Sequence, residues 1–501
     1  MAHYELNNLG QRSWTKTYAS ADFTLSTSEL RGQANNLYDP LGRVYESRVY
    51  EVDPDDGTVG DYLPSRSWYD DRGQVVKTAT ANGLFQKYAY DGLGRIVASF
   101  TSYDTDETAC ADADDVSGDT VIQQSQTWYD QAGQAIATAT YERLPDDTST
   151  SGLLSEYRRA NQEMGIRVML AAISSGHCLA LAPVAEDLKI LNVMWDCSTE
   201  RVLEDAKYNY VFRPQANATI EMVAAVIYLL KTKPDFKTVA VVNQDYAWGR
   251  DSWEIFSNTL KALKPDVKVV AELFPKFGAS DFSAEISRLQ ALKPDVILNT
   301  SWGGDLDTFI RQASQRGLLK SSTFVMPLLE SSMERVGDAI PDGVIAAGRG
   351  DHYFLHPETK NDPAHVAFVK KFREKTGAYP IYPSYHAVQS VIALKAAYEK
   401  AIKANGGKWP TIEQAAAAMN GLEFKGFGRP IKIREDGQGM EDQLYGITKK
   451  VPEYPFPVLD KMMFIPAELV TTPVGKKSPE YVKTISPEIL KKEFKTYNYT
   501  K

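Results

Sequence analysis

A short turn motif recurs through the first third of the chain. It reads Tyr38-Asp39-Pro40-Leu41-Gly42-Arg43, Tyr69-Asp70-Asp71-Arg72-Gly73-Gln74, Tyr90-Asp91-Gly92-Leu93-Gly94-Arg95 and Tyr129-Asp130-Gln131-Ala132-Gly133-Gln134, with a weaker copy at Leu6-Asn7-Asn8-Leu9-Gly10-Gln11. The Asp or Asn falls at 7, 39, 70, 91 and 130, giving steps of 32, 31, 21 and 39 residues. Asp followed three residues later by Gly is local turn chemistry: the carboxylate caps the turn and glycine takes the positive φ that other residues resist. The flanks alternate, as in Gln74-Val75-Val76-Lys77-Thr78-Ala79-Thr80 and Arg95-Ile96-Val97-Ala98-Ser99-Phe100, which is strand patterning. Each unit therefore predicts a β-hairpin. Repetition of hairpins predicts a stacked antiparallel sheet over residues 1–150, not a single-core enzyme domain.

The motif resembles Rhs/YD repeats, which implies a β-strip with open edges. Residues 1–150 hold 24 acidic and 11 basic residues, a net of −13, and the remainder holds 41 and 45, a net of +4. Neither part has the basic stripe of a nucleic-acid binder. The acid-rich stretches Asp53–Gly57 and Asp104–Asp119 lack the spacing of a calcium loop and are expected to be solvated hairpin loops. Leu144–Gly152 is polar and predicts a linker.

After that boundary, short apolar strands alternate with amphipathic helices. Strands are expected at Arg167–Ala172, Asn192–Trp195, Tyr210–Arg213, Thr238–Asn243, Lys268–Leu273, Val296–Thr300, Thr323–Met326 and Gly343–Ala347. Helices are expected at Thr219–Lys231, Arg250–Leu263, Asp281–Leu292, Asp305–Gln315, Pro363–Thr376, Ser384–Ala404 and Ile412–Met419. Such alternation predicts parallel sheets covered on both faces, with ligands bound beyond the carboxyl ends of the strands. The loops at those ends are rich in aromatic and polar residues: Trp195-Asp196-Cys197-Ser198, Asn243-Gln244-Asp245-Tyr246-Ala247-Trp248-Gly249, Ser301-Trp302-Gly303-Gly304 and Glu330-Ser331-Ser332. Aromatic walls with a few polar anchors are the make-up of a small-molecule pocket. The first strand runs into Ser174-Ser175-Gly176 and a helix, so hydroxyls and free backbone N–H groups gather at a helix N-terminus, a place that favours a carboxylate.

This strand–Ser174-Ser175-Gly176–helix unit resembles the first-lobe ligand loop of type I periplasmic solute-binding proteins of branched-chain amino acid ABC transporters. Other segments agree in order. Tyr208–Arg213 resembles the crossover between lobes, Val241–Gly249 the second-lobe turn whose aromatic residue stacks on the ligand, and Gly348–Tyr353 the return to the first lobe. The resemblance runs from about Glu156 to the end. It implies a multidomain chain: an antiparallel Rhs/YD strip over 1–150, part of lobe 1 over 151–216, lobe 2 over 217–342, the rest of lobe 1 over 343–435, and a C-terminal crossover and tail over 436–501. It also implies an incomplete first lobe, because the family's opening strand, turn and helix have no counterpart before Ser174. The strand near Val168–Ala172 is then expected to keep an open edge, and the chain to bind poorly or not at all and to associate.

By the same resemblance, Ser174, Ser175 and Ser198 would meet a ligand carboxylate, and Asp196 or Glu330 an ammonium. Tyr246, Trp248 and Trp302 would form the walls. Where relatives for aliphatic amino acids have small residues, this chain has Trp195 and Asp196, which favours an aromatic or larger polar ligand. The implied partners are an amino acid or aromatic carboxylate and an ABC transporter permease; no catalytic residue, cofactor or metal is expected. The implied location is periplasmic or extracellular, although the first residues show no signal-peptide pattern, which by itself would leave a cytoplasmic address. Two alternatives remain at this level: an Rhs-type toxin carrying a C-terminal effector, and a chimeric reading frame without function as a whole. Cys110, Cys178 and Cys197 form no disulfide framework or metal-ligand spacing; at most one pair could form, and free or buried thiols are the expectation. His352 and His356 are expected in an exposed loop, since they lack the Glu of a zinc motif and Pro357 follows.

Overall fold

The computed structural model describes residues 1–20, 25–80, 85–103, 113–116, 119–142 and 149–500. It divides into two units, Met1–Asp147 and Thr148–Lys501.

In the first unit, ten antiparallel strands pair in chain order, from Ala2–Leu6 to Ala135–Glu142. The five motif turns close alternate hairpins. Their glycines, Gly10, Gly42, Gly73, Gly94 and Gly133, all have φ between 75° and 83°. Asp39 shows the cause: its Oδ1 accepts from the backbone N–H groups of Leu41 (2.9 Å) and Arg43 (2.8 Å). Of the described residues in this sheet, few apolar side chains are buried, Leu30, Val76 and Phe85 among them. The sheet is therefore held by its hydrogen-bonded ladder more than by a core. Of the acid-rich stretches, Asp53–Gly57 forms a turn, whereas most of Asp104–Asp119, and Cys110 with it, lies outside the described residues.

The second unit contains two principal sheets. The smaller is parallel, with Val168–Leu170, Leu191–Val193 and Val211–Phe212 in that order. The larger has eight strands, ordered Lys268–Leu273, Thr238–Val242, Val296–Leu298, Thr323–Met326, Ile345–Ala347, Gln443–Lys449, Val458–Ile465 and Thr496–Tyr497. Its first five strands are parallel and the rest antiparallel. The helix Ala218–Thr232 is capped by Asn217, whose side chain accepts from Ile220 N, and is buried from Ala218 to Leu230. An all-round buried helix is a core element, and its apolar sequence joins the main core cluster.

Several expectations are corrected here. The linker ends earlier than expected: Ser149 caps a helix, Thr150–Gln162. Its Leu153, Leu154 and Tyr157 pack on the cluster around helix Ser175–Asp187. The strand at 345–347, expected to return to the first lobe, pairs with Thr323–Met326 and with Gln443–Lys449 in the larger sheet. The segment expected as a tail supplies strands to that sheet too, because Val458–Ile465 is buried along almost its whole length. Finally, Cys178 and Cys197 form a disulfide across 6.5 Å between Cα atoms. The folding of helix and loop against each other brings them together, and a spacing of 19 residues in sequence carries no sign of it.

Candidate ligand-binding site

Most of the loops that build the site leave the carboxyl ends of parallel strands, as the topology requires. Leu191–Val193 leads to Asp196 and Ser198, Thr238–Val242 to Tyr246 and Trp248, Val296–Leu298 to Trp302, and Ile345–Ala347 to Arg349. They line a narrow cleft of about 20 Å³. Six of the predicted residues line it: Ser175, Asp196, Ser198, Tyr246, Trp248 and Trp302. Ser174 and Glu330 do not. Ser174 is the N-cap of helix Ser175–Asp187 and makes no side-chain capping bond. Glu330 lies behind the wall, where its Oε2 accepts the backbone N–H of Tyr382 at 3.1 Å. Burial pushes its carboxyl up to about 8, so at neutral pH it is mainly protonated and uncharged.

The centre of the cleft is a residue that sequence reasoning missed. Arg349, buried and held at φ 55°, places its guanidinium 4.5 Å from the Tyr382 ring centroid and 5.2 Å from that of Trp248. Such a position favours a cation. Its Nε donates to Glu221 Oε2 and its Nη2 to Glu221 Oε1, both at 3.1 Å. Nη1 donates to Asp196 Oδ1 at 3.1 Å, and Nη2 also donates to Ser198 Oγ. Burial works to lower its pKa, but the charges of Glu221 and Asp196 outweigh that and raise it. Four of the five guanidinium donors are thus engaged in these bonds, and the Tyr382 side chain also interacts with the guanidinium.

Asp196 is shared. His386 Nδ1 lies 2.6 Å from Asp196 Oδ1, and His386 Nε2 lies 2.9 Å from the Arg349 carbonyl oxygen. A carbonyl oxygen only accepts, so Nε2 carries a proton; a carboxylate beside Nδ1 favours a second. Burial opposes the charge on His386, yet the bond to Asp196 and its charge raise the pKa overall. Arg349 and His386 are thus buried against Asp196 and Glu221, and the charge of buried Glu441 also acts on His386. Ser198 donates to Glu221 Oε1 at 2.8 Å, so its hydroxyl proton is spent. Ser175 Oγ accepts the N–H of Thr199 at 3.2 Å and keeps its own proton for another acceptor.

The walls are fixed from behind. Trp248 is only 3% exposed, and its Nε1 donates to Thr300 O at 2.8 Å. Trp302 Nε1 donates to the Tyr246 hydroxyl, and Phe277 packs its ring against both. Tyr382, at the start of helix Tyr382–Ala404, was also missed. The signals available were slight: a lone Arg between two glycines at the end of an apolar strand, and a Tyr-Pro pair opening a helix.

His352 and His356 are buried, not exposed as expected. His356 Nδ1 accepts two backbone N–H groups and its Nε2 meets Asp351 at 2.9 Å. His352, His386 and Glu441 converge, with one nitrogen or oxygen from each lying within 4.8 Å of the others. Both His386 nitrogens are engaged as above, and Glu441 accepts from Gln389 and from Ala216 N. His386 and Glu441 are thus engaged, whereas neither buried nitrogen of His352 has a hydrogen-bond partner; its Nδ1 lies 3.3 Å from Glu441 Oε1.

A cleft at strand ends, lined by aromatic rings around a buried cation, has the make-up of a small-molecule binding site. Residues 133–448 match the periplasmic binding protein family, and the chain belongs to that family. Its members are non-enzymatic solute-binding components of transport, so the part that follows the repeats is a binding module and not an effector enzyme. Residues 69–103 match the RHS repeat. Leu/Ile/Val-binding protein homolog 7 of Brucella suis is 26% identical over 325 residues, covering 62% of this chain and 79% of the relative. Leu/Ile/Val-binding protein homolog 4 of Brucella melitensis is 29% identical over 217 residues, covering 42% and 49%. An ABC-transporter solute-binding protein of Rhodopseudomonas palustris in complex with 3,4-dihydroxybenzoic acid has a TM-score of 0.56 at 21% identity, covering 66% of this chain and 86% of its own. The leucine-, isoleucine-, valine-, threonine- and alanine-binding protein of Brucella ovis has a TM-score of 0.54 at 21% identity, covering 66% and 85%.

Proposed function

We propose that this protein is the extracytoplasmic solute receptor of an ABC transporter and binds a small aromatic carboxylate for delivery to a permease. The observation that carries the reading is the charge balance of the cleft. An amino acid needs a carboxylate for its ammonium, but Asp196 and Glu221 are already neutralised by Arg349 and His386, and Glu330 is protonated and does not line the cleft. A ligand carboxylate, in contrast, would meet the Arg349 guanidinium and the Ser175 hydroxyl, with Tyr246, Trp302 and Tyr382 for its ring. The R. palustris relatives that bind 3,4-dihydroxybenzoic acid and benzoate fit this reading. The buried Cys178–Cys197 disulfide fits an oxidising compartment. Among the described residues no helix is long and apolar enough to cross a membrane.

The names of the Brucella relatives favour a second reading, a branched-chain amino acid. A thermal-shift panel separates the two: benzoate and 4-hydroxybenzoate should raise the melting temperature, and leucine should not. The reverse pattern would favour the amino acid. We further infer that the first lobe is abbreviated and the affinity correspondingly low. Supporting this, Val168–Leu170 is an edge strand of a three-stranded sheet, and Leu170 is 37% exposed. Restoring the family's opening strand and helix should strengthen binding.

A further inference from the structure

The turns of the antiparallel sheet form a ladder in which the same contacts recur at each step. Because strands pair in chain order, the five turns lie along one end of the sheet, two strands apart, roughly 9–10 Å. In each of the four complete motifs, the Tyr before the Asp donates its hydroxyl to the carbonyl just past the preceding turn. These bonds are Tyr38 to Arg12 O (2.8 Å), Tyr69 to Val44 O (2.7 Å), Tyr90 to Val75 O (2.8 Å) and Tyr129 to Ile96 O (2.9 Å). The residue after each turn glycine reaches forward: Gln11, Arg43, Gln74 and Arg95 lie against Gly42, Gly73, Gly94 and Gly133 of the next turn. Gln11 Nε2 donates to Gly42 O at 2.9 Å, and the Arg43 and Arg95 guanidinium groups cover the rings of Tyr69 and Tyr129 at 4.5 and 4.4 Å.

At the last step the receiving groups are in place. Gln134 occupies the forward-reaching position and Ala135 the carbonyl position. Their strand, Ala135–Glu142, pairs among the described residues only with Thr120–Tyr129. Protected sheet edges carry Lys, Pro or inward charges; residues 135–140 read Ala-Ile-Ala-Thr-Ala-Thr, and Ile136 is 66% exposed. The opposite edge of a second copy does not complete the pattern, because Leu6 stands where the Tyr is needed.

We propose that the edge from Gln134 to Thr140 is a docking site for a β-hairpin bearing a Tyr-Asp-x-x-Gly turn, added in trans as the next two strands. The incoming Tyr hydroxyl donates to Ala135 O, the Gln134 amide lies against the incoming glycine, and backbone pairing supplies the rest, as in strand addition generally. The test is fluorescence anisotropy of the full chain with a labelled, cyclised hairpin copying Phe85–Thr101. Saturable binding is expected. Tyr90→Phe in the peptide and Gln134→Ala in the chain should each weaken it about fivefold, the worth of one hydrogen bond. N-methylation of the outward-facing amides of Phe85–Tyr90 in the peptide should abolish it. Absence of saturable binding, binding that survives N-methylation, or indifference to both side-chain substitutions would overturn the proposal.

Discussion

Glu330→Gln isolates the assignment of Glu330 as a protonated group behind the cleft. The carboxyl is buried and its pKa is raised from 4.5 to about 8. The unfolded chain releases this proton near 4.5, whereas the folded chain keeps it until about 8. Between those values the folded state binds the extra proton, so this group's contribution to stability falls as pH rises and levels off above 8. A tenfold change in proton concentration is worth about 1.4 kcal/mol in this range, so the loss accumulated by pH 7 is on the order of 3 kcal/mol. Glutamine cannot ionise and still offers a side-chain oxygen to the Tyr382 N–H. Urea denaturation from pH 4 to 9 should show the two proteins nearly equal near pH 4, and the variant more stable by up to ~3 kcal/mol at pH 7. Parallel profiles, or a variant less stable at pH 8, would show that Glu330 is ionised in the folded protein. That result would return it as a partner for an ammonium and refute the reasoning.

Arg349→Met should cost about 3–5 kcal/mol, because Asp196 and Glu221 would be left buried without their cation; adding Glu221→Gln should recover part of the loss in denaturant titrations. Trp248→Ala should weaken ligand binding more than Tyr246→Ala and also lose about 3–5 kcal/mol of stability, since the ring belongs to the core as well as the cleft; calorimetry and melting curves read the two effects. Reducing Cys178–Cys197 should cost about 3 kcal/mol for a loop of this length, visible as a lowered denaturation midpoint with dithiothreitol and absent in a Cys178→Ala/Cys197→Ala variant.

What the sequence made legible was mostly local. The Asp-x-x-Gly turns depend on one side chain and one glycine, and all five formed. Lys268–Leu273, Thr323–Met326, Pro363–Thr376 and Ile412–Met419 lie where expected, the last two because Asp362 and Thr411 cap them. Helix Thr150–Gln162 escaped notice because its apolar residues, Leu153, Leu154 and Tyr157, are few among polar ones. Asp196 was legible as a cleft residue, but its role was not. That role depends on Arg349 and His386, which are 153 and 190 residues away in sequence. The disulfide and the Tyr382 wall likewise exist only once distant loops converge.

The central claim is that the cleft offers a cationic donor to a carboxylate and no anchor to an ammonium. Titration calorimetry of the full chain at pH 7 with benzoate and, separately, with leucine tests it most directly. Heat is expected from benzoate, lost in Arg349→Met/Glu221→Gln, and none from leucine. Heat from leucine with none from benzoate would contradict it.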